Sequence, residues 1–262
     1  MNMPPSIFDS QAVSAALEAA GFTRRGTGPL RRGPLTATCQ DGWLAFEPFD
    51  VDTLHLPQLS LGKGGLWKPR GLDAYAFEVP LAALGAADVC LDDEDGAGEQ
   101  VVEDVAAWCE ATLVGEPAAD WVSPDEDAVS AWLPAEARAV RQGALVRRIE
   151  LICSPRRLAL RAVLVSEVPA SLSAARRTWI ERKLLFAQRQ WRLVRLGFDC
   201  GTIDKPAIAA EADLTGCPTA ICRELLLASV SALQQVGAHE LLTLSVLCDH
   251  SVACQAWEEQ GE

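Results

Sequence analysis

Side chains able to do chemistry are thinly spread in this chain, so what matters is which of them fall at a useful spacing. Cys248, Asp249 and His250, followed by Cys254, make the one Cys/His cluster near a zinc-like spacing. Thiolate and imidazole are the ligands of a tetrahedral zinc site, and Cys217 or Cys222 would supply a fourth. Two observations weigh against that use of Cys248, His250 and Cys254. There is no CxxC pair, and the cluster ends an apolar segment, where cysteines usually pack as small hydrophobes. With three histidines and no HExxH, the chain offers less still for a catalytic zinc.

Other catalytic patterns fail in the same way. No GxSxG occurs, and Cys39 and His55 form a nucleophile and base only if the fold joins them. Gly62-Lys63-Gly64-Gly65 lacks the preceding strand, the glycine spacing and the Ser/Thr of a phosphate-binding loop. Asp92-Asp93-Glu94-Asp95 lacks the alternation and distal glutamate of a calcium loop. Both read as solvated turns. No catalytic residue and no cofactor is assigned.

The sharpest polar feature is a set of arginines: Arg176, Arg177, Arg182, Arg189, Arg192 and Arg195. They close a stretch from Arg138 to Arg195 with fourteen basic and three acidic residues, whereas Asp88 to Asp127 holds fourteen acidic residues and no Lys or Arg. Three uses follow, in order of expectation: pairing with the acidic stretch, gripping an acidic partner segment, and contacting phosphates. A net charge of −13 argues against duplex DNA as a primary partner, so nucleic acid is not expected. Trp179 and Trp191, at helical spacing, read as core.

Size and composition bound the rest. A chain of 262 residues, 49% hydrophobic and 23% charged, can bury one large core or two ordinary ones. No apolar run approaches a membrane span, and the N-terminal segment, with Asp9 and Glu18 and no basic start, is unlike a secretory signal. Nine cysteines, an odd number set among apolar neighbours, read as reduced thiols, which places the protein in the cytoplasm.

The elements that position these residues are organised around 171 to 198. Ile180, Leu184, Ala187 and Trp191 recur at i, i+4, i+7 and i+11, the apolar stripe of a helix opened by Ser171 to Ser173 and ending near Gln190. Trp191 to Phe198 is expected to run extended. Before it, a helix is expected from Pro124 or Asp125 to about Gln142, disturbed at Pro134 and stopped by Gly143. A hairpin of Val146–Cys153 and Leu158–Val165 follows. After it, Ala207–Leu214 reads as a strand, and a helix starts at Pro218, with Gly237 as a point of interruption. In the first half the pattern predicts a helix over 9–20 and two strands within 27–50 turned at Asp41-Gly42. It continues with a long loop over 51–73, a strand Tyr75–Val79, a short apolar turn or helix over 81–91, and a helix Glu99–Leu113.

The fold class is therefore α+β, an antiparallel sheet flanked by helices, with halves at 1–115 and 125–262 and a linker at 116–124. Four features of the second half carry a resemblance: a helix opening at Thr178-Trp179-Ile180, a strand Trp191-Arg192-Leu193-Val194-Arg195, a strand Ala209-Ala210-Glu211-Ala212-Asp213-Leu214, and the last helix from Pro218. This order, over roughly residues 124 to 250, resembles the type III secretion chaperone-like fold shared with the YbjN-type bacterial proteins. The first half has a similar order, though no residue-level repeat links the two. The resemblance implies a homodimer or pseudodimer that binds a protein segment and catalyses nothing. The expectation is a non-enzymatic chaperone or adaptor that engages a partner through the six arginines. The alternative is a metal- or ligand-binding enzyme or effector subunit using the Cys/His cluster or the 51–73 loop.

Overall fold

The computed structural model describes residues 10–49, 61, 66–70, 74–85, 97–115, 121–199 and 206–248. Helix α1 (Ser10–Ala19) packs Val13, Ala16 and Leu17 inward and stops at Gly21, whose φ of 85° suits a residue without Cβ. The strands β1 (Thr23–Arg24), β2 (Leu30–Arg32), β3 (Leu35–Gln40), β4 (Trp43–Pro48), β5 (Lys68–Pro69) and β6 (Tyr75–Pro80) form an antiparallel sheet in the order β1-β2-β3-β4-β6-β5. The Asp41-Gly42 turn forms as expected, with both residues at positive φ. The 27–50 segment holds three strands where two are expected, because Gly33 (φ 50°) turns Leu30–Arg32 back on Leu35–Ala37. Residues 68–69, within the expected loop, are also a strand; most of the other loop residues lie outside the described ones.

Alternation sends the two faces of this sheet to different neighbours. Leu44, Phe46, Phe77 and Val79 share the face covered by α1 and by α3 (Ala97–Val114), where the Trp108 ring stands edge-on to Phe77 with centroids 4.7 Å apart. Trp43, Ala45, Glu78 and Pro80 take the other face, which looks to the second half. The short helix α2 (Leu81–Gly85) continues directly from β6.

The second half begins with α4 (Glu126–Trp132), capped by the Asp125 carboxylate, which accepts from the Asp127 and Ala128 amides. The expected helix to Gln142 is not found. Pro134 has no N–H to continue the ladder, the chain makes a 3₁₀ turn at Ala135–Ala137, and Ala139–Gln142 becomes β7, turned at Gly143 onto β8 (Leu145–Ser154). With β9 (Arg157–Val165), β10 (Arg195–Asp199) and β11 (Ala207–Asp213), these strands form a sheet in the order β10-β11-β9-β8-β7. Helix α5 (Ala174–Gln188), N-capped by Ser173, buries Ile180, Leu184 and Ala187 as the period predicts.

Helix α6 (Thr219–Cys248) runs unbroken across the second sheet, and Gly237 does not interrupt it. It marks a close approach: a Cβ at Gly237 would lie 2.9 and 3.0 Å from the two Cγ atoms of Val140 and nearer still to its Cβ. The buried apolar residues of both halves form one continuous core, from Val13 and Phe46 through Trp108 to Leu196, Leu225 and Leu241. No helix among the described residues is long and apolar enough to cross a membrane.

Candidate functional site

The two halves meet over the segment between α5 and β10. Its expected extended course is corrected by the structure, since Leu193 takes φ 61° and pairing starts only at Arg195. The left-handed region costs a leucine roughly 1–2 kcal/mol, so other contacts must hold it. They come from the first half. Lys68 donates its ammonium to the Trp191 carbonyl, and the Arg192 guanidinium stacks 4.7 Å above the Trp43 ring and lies 3.7 Å from Glu78.

Glu78 is the centre of this junction. Its carboxylate, 1% exposed, lies 3.0 Å from Lys68 Nζ, which is 2% exposed, and it also pairs with Arg70. Its cations are held elsewhere as well, Lys68 by the Trp191 carbonyl and Arg192 by the Trp43 ring. One carboxylate faces three cations, and Asp41 and Glu47 also attract Arg192 and Arg70 respectively. Burial first, then the charges of Arg70 and Arg192, pull Lys68 down to about 7 from 10.5. Burial also lowers Arg70 and Arg192.

Above this junction a groove of about 630 Å³ opens between the halves. Its floor is the outer side of α6, where Glu224, Leu227, Ala228, Ser231, Ala232 and Gln235 follow one helical face. Trp43, Pro80 and α2 make one wall, and Gln190 to Leu193 the other. Trp191 is fixed by its indole N–H donating to Glu240 at 3.4 Å, and Glu240 pairs with Lys183 at 2.8 Å.

The six arginines do not act as one patch. Arg182 on α5 and Arg189, its C-cap, are exposed and alternate with Trp179 (66% exposed) and Phe186 (55%). Arg177 is exposed at the start of that helix. Arg176 is half-buried and donates to the Val246 carbonyl at 3.0 Å, which ties α5 to α6. Arg189 also donates to the Arg70 carbonyl at 2.8 Å. Arg195 is 4% exposed, in a cross-strand row with Glu211, Arg161 and Glu150, so it offers nothing to an outside partner. Trp179 corrects the expectation of core, because the buried stripe runs through Ile180 instead.

Half of the acids of the 88–127 stretch lie outside the described residues, and among the described ones the basic side chains of the second half have other partners. Arg192 turns to Glu78, Lys183 to Glu240, and Arg157 and Arg161 to Glu211, with Arg161 also 2.7 Å from Asp199. Of the proposed metal ligands, Cys248 is buried in the last turn of α6, whereas His250 and Cys254 lie outside the described residues. Among the described residues no group of three His, Cys, Asp or Glu side chains is placed to hold a metal. Cys217 and Cys222 are buried together; burial raises the Cys217 thiol, and a hydrogen bond from it lowers Cys222. Residues of the junction and groove, Trp43, Lys68, Arg70 and Glu78, were not legible as a site, because they come from three strands, and from the residue just after one of them, that only sheet pairing brings together.

Fold and groove define an α+β protein with two antiparallel sheets and a cleft lined by the first sheet, α2, the segment before β10 and α6, beside the cations grouped around the buried Glu78. No protein-family model matches the chain, and no curated protein matches it.

Proposed function

We propose that this protein is a non-enzymatic binding module of the cytoplasm, a chaperone or adaptor that holds an acidic, amphipathic segment of a partner protein along α5. One observation carries the reading: Trp179, Arg182, Phe186 and Arg189, spaced 3, 4 and 3 residues apart, form a single exposed face of that helix. Trp and Arg are the residue types that dominate binding energy at protein interfaces. Alternating them along one helix presents apolar side chains and cations in the same register, the complement of a segment that alternates apolar and acidic residues. The face is also well anchored, by the buried side of α5 and by the Arg176 bond to α6. The order of the second half, helix, three strands, helix, two strands, helix, supports a type III secretion chaperone-like reading, with one strand more than the sequence pattern implied.

The test is photocrosslinking in the cells that make the protein, with benzoylphenylalanine placed at position 186. An adduct with one protein through an acidic, apolar segment, lost in an Arg182→Glu, Arg189→Glu variant, supports the proposal. An adduct that survives charge reversal sinks it. Adducts only with a second copy of the chain would reassign the face to a homodimer.

A further inference from the structure

The groove between the halves is a separate feature from the α5 face, and its chemistry is different. Its volume of about 630 Å³ falls in the range of small-molecule sites, which are mostly apolar clefts with a few placed polar groups. Trp43, Pro80, Leu227 and Ala228 supply an apolar lining, and the small side chains of Ala228 and Ala232 leave α6 open to close approach. The cation in it is Arg192, held in place from both sides. Its guanidinium rests on Trp43, and the backbone beside it is held by the bond from Lys68 to the Trp191 carbonyl. Side chain and backbone are both positioned before any ligand arrives, which lowers the ordering cost of binding.

The charge of Arg192 is only partly answered. Its nearest carboxylate in the junction, Glu78, is 3.7 Å away and lies closer to Lys68 and to Arg70, and Asp41 also attracts it. The acid on the α6 floor, Glu224, is engaged by the neighbouring Arg223 at 3.3 Å. A guanidinium binds a carboxylate in a fork that an alcohol or an ammonium cannot reproduce. We propose that the groove binds a small apolar carboxylate, its head paired with Arg192 and its body lying over Trp43, Leu227 and Ala228.

Titration calorimetry of the full-length protein with decanoate, decanol and decyltrimethylammonium tests this. Saturable 1:1 binding of decanoate, at least tenfold tighter than either of the others, is expected. Arg192→Gln should remove that preference. Because Arg192 also touches Glu78, Ala228→Trp gives a second check, filling the groove from its floor while leaving every charge in place; it should abolish decanoate binding. Equal binding of decanol, undiminished binding to the Ala228→Trp variant, or no saturation by millimolar decanoate would each overturn the proposal. The α5 variants Arg182→Glu and Arg189→Glu should bind decanoate like the parent, which separates failure here from failure of the partner-binding reading.

Discussion

Replacing Gly237 by alanine should test the way α6 lies on the second sheet. In a helix interior, Gly to Ala ordinarily stabilises by about 0.5–1 kcal/mol, because glycine loses more backbone freedom on folding. The position is buried in the middle of α6, and there the new methyl would lie 2.9 and 3.0 Å from the Cγ atoms of Val140, and nearer still to its Cβ. Carbon atoms pack at about 3.5–4.0 Å, so α6 and β7 must separate by roughly 1 Å. Overpacking of that size costs about 1–3 kcal/mol, and the contact here is with a branched, backbone-anchored side chain that has no rotamer to escape into. The two effects oppose each other and leave a net loss of about 1 kcal/mol. In a chain of this size that corresponds to a fall in Tm of about 2–4 °C. Urea unfolding followed by circular dichroism would measure it, and a double-mutant cycle with Val140→Gly would assign it, since removing the Val140 side chain should remove most of the penalty. A Gly237→Ala protein more stable than the parent, or a penalty unchanged in the Val140→Gly background, would refute the close approach.

Two further outcomes follow from the buried charges. Lys68 is held at about 7 in the folded protein and returns to 10.5 when unfolded, so between those values the unfolded chain binds the extra proton. Stability should therefore climb as pH rises from about 7 towards 10.5, and this slope should be reduced in Lys68→Met, as read from denaturant midpoints across that range. Glu211 is buried against Arg157 and Arg161 in the second sheet, and Glu211→Ala would leave both guanidinium groups without it. A loss of about 2–4 kcal/mol is expected, towards the lower end because the arginines are partly solvated, and is measurable as a drop in the urea midpoint.

Much of the local structure was decided by short-range chemistry. The stripe of Ile180, Leu184 and Ala187, the Asp41-Gly42 turn, the alternating strand Leu158–Val165 and the stop at Gly21 each depend on residues close in sequence, and each is found. Where the pattern misled, a distant contact was responsible or a local signal was outvoted. Ala139–Gln142 reads as helix until Gly143 folds it onto β8, and Trp191–Val194 reads as strand until Lys68 and Trp43 take hold of its backbone and side chain. Gly237 looked like a helix breaker because the sequence does not show what stands opposite; the structure places Val140 there. The arginines of α5 and its flank were visible as a set, but burial divided them: Arg182 and Arg189 face solvent, Arg192 enters the junction, and Arg195 is enclosed. Sequence alone determined the α+β class, the helical period of α5 and the polarity of each stretch, since these rest on neighbours along the chain. The groove, and the single carboxylate shared by Lys68, Arg70 and Arg192, were decided only by tertiary structure, because strand pairing and the packing of α6 set which distant charges must share one low-dielectric space.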